Sequence, residues 1–226
     1  SLNNARAEEL VSLLGHPDQR VRRKSQFSIA EKPAADAESI FIQALSISQE
    51  PTTLRRIQAI WGLKQIGRRR SLSDEVARKL ITLLKSDSPE IRYHAYSALE
   101  FVDGGKAFLA LKQATANEKN LRALSAVLRT LAKVAHNSDV TKLIFQSALQ
   151  RGLDDPWFRQ SAVTALAEAG QIDAVHSYLS SDEDSARLLA ALALRQFGDP
   201  RLGETARDTN ELVKLVSIRA IHDLPI

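Results

Sequence analysis

Cysteine and methionine are both missing from this chain of 226 residues. Without cysteine there is no disulfide, no thiolate zinc site, no CxxCH haem attachment and no cysteine nucleophile within it. The missing methionine includes an initiator, so we expect an excised fragment or processed product, with any targeting or anchoring segment beyond it. Aromatic residues make up 5% of the chain against 44% hydrophobic residues in all. Alanine and leucine must therefore carry the core, as helix-rich packing favours. No run approaches the roughly 20 apolar residues of a membrane span; the uncharged stretch Ser39–Gln49 is short and contains Ser and Gln. No signal peptide is visible at Ser1. An excess of one charge is also lacking: 31 basic residues stand against 27 acidic ones, a net charge of +4. That permits an acidic partner without demanding nucleic acid.

Catalytic signatures are absent too. The five histidines, His16, His94, His136, His176 and His222, share no HxxxH or HxH spacing, which argues against a metal site. There is no GxSxG, Walker or GxGxxG motif. Adjacent carboxylates such as Asp154-Asp155 and Asp182-Glu183-Asp184 fall in predicted turns, where they are ordinary capping chemistry. Nothing here calls for a cofactor or a small-molecule substrate.

What is present is a repeat. Arg22, Arg56, Arg92, Arg122, Arg159, Arg187 and Lys214 each follow an apolar or bulky position, at separations of 34, 36, 30, 37, 28 and 27 residues. Small residues follow three and six places on: Ser25 and Ser28, Ala59 and Gly62, Ala95 and Ala98, Ala162 and Ala165, Ala190 and Ala193, Ser217 and Ala220. A period of this length predicts stacked helical hairpins. The third unit shows the grammar. Val76, Leu80, Ile81, Leu83 and Leu84 stripe helix A at helical spacing, Ser88 is a predicted N-cap with Pro89 at the first helical position, and Ile91, Ala95, Ala98 and Leu99 share a face of helix B. Gly67, Gly104, Gly170 and Gly198 are predicted stops after B helices, with Asn137 in that place in the fourth unit.

The expected fold is all-α, a right-handed α-solenoid of about seven hairpins in one domain, 1–226. Its units fall near residues 5–33, 36–70, 74–104, 106–137, 139–170, 172–198 and 201–226. Small residues on the B helices should let neighbours approach closely, and those helices should line one shallow face. Pro225 should end the last helix, leaving Leu224 and Ile226 as apolar residues on a terminal repeat.

The recurring cation lies in the first turn of helix B, where the helix dipole disfavours it. Carboxylates cluster in the same turns, so the favoured reading is a structural inter-repeat ladder, each cation reaching a carboxylate or helix-end carbonyl of the adjacent repeat. Candidate partner contacts are few. Arg68, Arg69 and Arg70, in an inter-repeat loop, form the best anion-contact patch. Trp61 reads as core or half-buried beside Ile60 and Leu63. Trp157, opening a helix after Pro156, reads as a packing residue first and an exposed anchor second.

The hairpins and the Φ-R-x-x-A-x-x-A-L core of helix B resemble HEAT and HEAT-like repeats across nearly the whole chain. Two blocks, ELVSLLGHPDQRVRRKSQFSIAEK from Glu9 and LRRIQAIWGLKQIGRR from Leu54, resemble the HEAT segment of bacterial putative membrane-bound dehydrogenases. In that family a β-propeller precedes the HEAT array and a c-type cytochrome with CxxCH follows it. The resemblance implies a non-catalytic spacer or docking scaffold in an exported or periplasmic redox protein, contacting adjacent domains or a protein partner. Two alternatives carry different chemistry. HEAT-like alkylpurine DNA glycosylases would place an aromatic and a catalytic Asp at a DNA groove, whereas the positions one turn after the tryptophans here are Gln65 and Ser161. A HEAT-like chromophore lyase subunit would transfer a pigment.

Overall fold

A computed structural model describes residues 5–48 and 52–223. They are helical throughout, with no strand among the described residues, and the fold is an all-α solenoid of hairpins. The backbone forms two compact units, Ser1–Ala110 and Leu111–Ile226. The predicted Pro225 break and the apolar Leu224 and Ile226 lie outside the described residues.

In the first unit, α1 (Ala7–Leu13) pairs with α2 (Gln19–Ala30), α3 (Ala34–Ser46) with α4 (Thr52–Gly67), and α5 (Asp74–Leu83) with α6 (Pro89–Ala98). Ser88 accepts a hydrogen bond from the Ile91 N–H at 3.4 Å and Pro89 stands in the first turn, as the sequence predicts. The B helices pack side by side, α2 on α4 and α4 on α6. Ser25, Ala59, Ala95 and Ala98 are fully buried along these contacts. Gly62 shows why small residues are needed. The Phe41 ring of α3, itself fully buried, occupies the space a Cβ on Gly62 would take.

The division into units falls within α7 (Gly104–Asn117). The second unit continues with α8 (Leu121–Val134), then α9 (Ser138–Arg151) against α10 (Pro156–Ala169), and α11 (Ile172–His176), extended by a 3-10 turn Ser177–Ser180, against α12 (Asp184–Phe197). A 3-10 helix, Pro200–Arg207, replaces helix A in the last hairpin and packs on α13 (Glu211–Asp223). Gly170 and Gly198 end α10 and α12 in the left-handed conformation, each at φ 69°, which glycine adopts without a Cβ penalty. Two predicted stops act differently. Gly104 opens α7, because α6 has already run into a 3-10 turn at Leu99–Phe101. Asn137 is the N-cap of α9, accepting from the Val140 N–H at 3.0 Å.

Five of the recurring cations clasp carbonyls of their own hairpins. Arg22 Nη1 donates to the carbonyls of His16 and Pro17 at 2.7 and 2.8 Å. Arg92 Nη1 repeats this with Ser86 and Asp87 at 2.7 and 3.1 Å. Arg159 Nη1 reaches the Leu153 carbonyl at 2.5 Å and Arg187 Nη1 the Ser181 carbonyl at 2.9 Å. In these four the acceptor lies six residues back, just past the end of helix A, where carbonyls have no intrahelical partner. In the second hairpin Arg56 reaches the Leu45 and Ile47 carbonyls at 3.2 and 3.5 Å. Arg187 also reaches the expected acceptor in the adjacent repeat, gripping Asp208. The physical reason for the clasp is proximity: the turn folds back under the first turn of helix B, so closing this short loop costs little entropy. A charge-assisted bond there also offsets the cation's unfavourable place at the positive end of the helix.

Two members leave the pattern. Lys214 pairs with Glu211 in its own helix at 2.8 Å. Arg122 is out of register: it stands two residues after the N-cap Asn120, whereas Arg22, Arg92, Arg159 and Arg187 stand four after theirs. The register position in the fourth hairpin belongs to Leu124, which is fully buried.

Other side chains stitch hairpin to hairpin. Arg69 Nη2 donates to the Ala30 carbonyl of the preceding hairpin at 2.7 Å, whereas Arg70 pairs within its own hairpin with the nearly buried Glu38 carboxylate at 2.6 Å. Lys106 pairs with Asp74 at 2.6 Å in the first unit, and Arg201 with Asp173 at 2.7 Å in the second. The partners of the three bonds that cross between hairpins lie 28 to 39 residues apart, about one repeat. Replacing Arg92 with alanine therefore frees turn carbonyls within one hairpin. We expect a loss of about 1–2 kcal/mol, read by urea denaturation; a loss below experimental error would show that the turn holds without its cation.

Candidate partner-binding face

Phe27 and Trp61 each stand five residues after the clasping arginine of their hairpin, Arg22 and Arg56. That common register puts both rings on the outward side of adjacent B helices, α2 and α4. They are 38% and 39% exposed, although Trp61 lies beside the fully buried Ile60 and Leu63. Between them is a groove of about 400 Å³ lined by Gln26, Phe27, Trp61, Lys64, Gln65 and Arg68.

The groove is braced from below. Trp61 Nε1–H donates to His94 Nδ1 of α6 at 3.1 Å, and the two rings meet edge to face at 5.4 Å. Because the indole N–H can only donate, Nδ1 accepts and the His94 proton sits on Nε2, 3.2 Å from Glu90. The Arg23 guanidinium lies over the Phe27 ring, 5.6 Å from its centroid. Gln26 Nε2 reaches Gln65 Oε1 at 3.4 Å, a long hydrogen bond that leaves amide donors and acceptors to spare. Lys64 Nζ donates to Ser97 Oγ at 3.1 Å.

The lining is cationic. Lys64 and Arg68 project one turn apart at the C-terminal end of α4, where the helix dipole favours positive charge. Carboxylates, hydroxyls and imidazoles are missing from the six lining side chains. The carboxyls held below the ordinary range lie elsewhere, each lowered by a basic neighbour: Asp18 by Arg20, Asp74 by Lys106, Asp199 by Arg201 and Asp208 by Arg187. Burial raises the Tyr178 phenol, whose ring stacks on Phe145. No group of three or more His, Asp or Glu able to hold a metal ion occurs among the described residues. None of the described helices is long and apolar enough to cross a membrane.

The predicted triplet Arg68-Arg69-Arg70 divides by function. Arg69 is spent on the Ala30 carbonyl of the preceding hairpin and Arg70 on Glu38 of its own, and of the three Arg68 alone lines the groove. Trp157, in the second unit, is 84% exposed in the first turn of α10, so the packing role expected of it is not what the fold gives it. Gln65, one turn beyond Trp61, lines the groove, and Ser161 donates to the Trp157 carbonyl at 2.9 Å. Phe27, Gln26 and Lys64 were not singled out by sequence reasoning. The readable signal was the shared register of Phe27 and Trp61.

No family profile matches the chain, and no curated protein sequence is similar to it. Solved structures are similar at low identity. The Escherichia coli protein YibA aligns over 91% of this chain and 75% of its own, with 15% identity and a TM-score of 0.50. Human deoxyhypusine hydroxylase in complex with glycerol aligns over 98% and 96%, with 13% identity and a TM-score of 0.47. A designed armadillo repeat protein in complex with the peptide (KR)4 aligns over 96% and 99%, with 16% identity and a TM-score of 0.41. These likenesses concern the helical-repeat fold and carry no activity with them.

Proposed function

We propose that this chain is a non-catalytic protein-interaction scaffold, serving as spacer or docking module of a multidomain redox protein. The observation that carries the scaffold reading is the groove on the first unit. It sets two exposed aromatic rings beside cations on neighbouring B helices, with no acid, hydroxyl or imidazole in its lining to move a proton or accept a transferred group. Exposed aromatics beside a basic side chain are the composition of a binding hot spot. The redox attribution rests on the resemblance of residues 9–32 and 54–69 to the HEAT segment of propeller–HEAT–cytochrome proteins. In such a protein the flanking domains carry the electron chemistry, and the stacked hairpins hold them or receive a partner.

Crosslinking of the intact parent protein with a lysine-reactive reagent tests this. Lys24 and Lys64 of α2 and α4 should link to another domain or another chain. Their absence from every such link in the assembled parent would overturn the scaffold reading. A parent sequence with neither a β-propeller nor CxxCH would overturn the redox attribution alone.

A further inference from the structure

We infer that the groove between α2 and α4 docks an acidic, extended protein segment, with an apolar side chain against Trp61 and Phe27 and carboxylates on Arg68 and Lys64. This rests on the scaffold reading and names the partner's chemistry. Charge complementarity points to it: two of the six lining residues are cationic and none is anionic, with Arg23 adding a third cation over Phe27. The apolar component is fixed in advance. The Trp61 N–H is already engaged by His94, so the exposed indole surface is a docking face for an apolar or aromatic side chain. Gln26 and Gln65 present amides that match the N–H and C=O groups of an extended backbone. A groove of about 400 Å³ takes the side chains of a few residues. Duplex or single-stranded nucleic acid fits less well, since a phosphate track needs many neutralising cations and the chain carries a net +4.

The test is fluorescence anisotropy with the full 226-residue chain and a labelled peptide (Glu-Phe-Glu-Pro)3, kept extended by its prolines. (Lys-Phe-Lys-Pro)3 and a dT12 oligonucleotide are compared under the same conditions. The acidic peptide should bind in preference to both, and weaken as salt is raised. Trp61→Ala should weaken it about tenfold. Arg68→Glu, at an exposed position with no fold contact at stake, should weaken it several-fold, while Trp157→Ala leaves it unchanged. Preference for the basic peptide or for dT12, equal binding by both groove variants, or no binding of the acidic peptide would each overturn the inference. Persistence of the Lys24 and Lys64 crosslinks in the parent would then show that the scaffold reading survives without it, and their loss that both fail.

Discussion

Replacing Arg187 with methionine should lower the stability of the second unit by about 3 kcal/mol. Arg187 grips Asp208 with two bonds, Nε to Oδ2 at 2.8 Å and Nη2 to Oδ1 at 3.0 Å. Both side chains are nearly buried, 12% and 7% exposed, so the methionine strands a carboxylate away from water. Damage spreads locally, because Asp208 Oδ1 also accepts from the Asn210 N–H and Asn210 caps α13. The double variant Arg187→Met/Asp208→Asn keeps an acceptor for Asn210 and removes the stranded charge. It should recover part of the loss, since breaking a buried pair costs more than replacing both halves.

The same pair sets an acid limit. Hydrogen bonds from Arg187 hold the Asp208 carboxyl below its ordinary value and push the guanidinium's higher still. A depressed carboxyl contributes stability that is complete above the unfolded value of about 3.9 and is lost as pH falls toward the folded value. Wild-type stability should therefore fall below about pH 4, and Asp208→Asn should flatten that fall. Urea denaturation at pH 7 and along an acid series, followed by helical circular dichroism, measures both. An Arg187→Met variant as stable as wild type would show that the pair contributes nothing.

Phe41→Ala should destabilise the first unit by about 3–5 kcal/mol, the usual cost of emptying a buried phenylalanine site. The ring is fully buried in α3 and lies on the bare Cα of Gly62 in α4. The complementary change, Gly62→Ala, drives a methyl into the ring. Overpacking of this kind costs about 1–3 kcal/mol, offset in part by alanine's helix preference of roughly 1 kcal/mol. A smaller side chain should relieve the clash, so Phe41→Leu/Gly62→Ala should lose clearly less than its two single variants together. Strict additivity in urea denaturation would mean that the two residues do not share space.

Hairpin architecture was legible because the repeat is written in small residues. Ser25, Ala59, Ala95, Ala162, Ala190 and Ser217 recur where B helices touch, and all are buried. Direction of reach was not legible. A guanidinium in the first turn of a helix can bend back to its own turn or forward to the next hairpin, and the sequence period is the same either way. Only the folded turn places carbonyls six residues behind Arg22, Arg92, Arg159 and Arg187. Arg122 misled for a related reason: it is an arginine near the right spacing, while the N-cap Asn120 shows that Leu124 holds the register. For the site, Trp61 was visible as a residue but not as a surface. Its neighbours Ile60 and Leu63 are core, and exposure of one ring on a mostly buried helix depends on what the adjacent hairpins leave uncovered. Trp157 shows the same limit in the second unit.

The division of labour is the central claim: cations that open the B helices hold the fold, and the aromatic groove makes the contact. It is tested most directly by measuring urea stability and (Glu-Phe-Glu-Pro)3 binding side by side on Arg92→Ala and Trp61→Ala. Arg92→Ala should lose stability and, at temperatures where it is folded, bind the peptide as wild type does. Trp61→Ala should keep most of its stability and lose about tenfold in binding. The reverse pattern, with binding lost at Arg92 and unaltered at Trp61, would contradict the account.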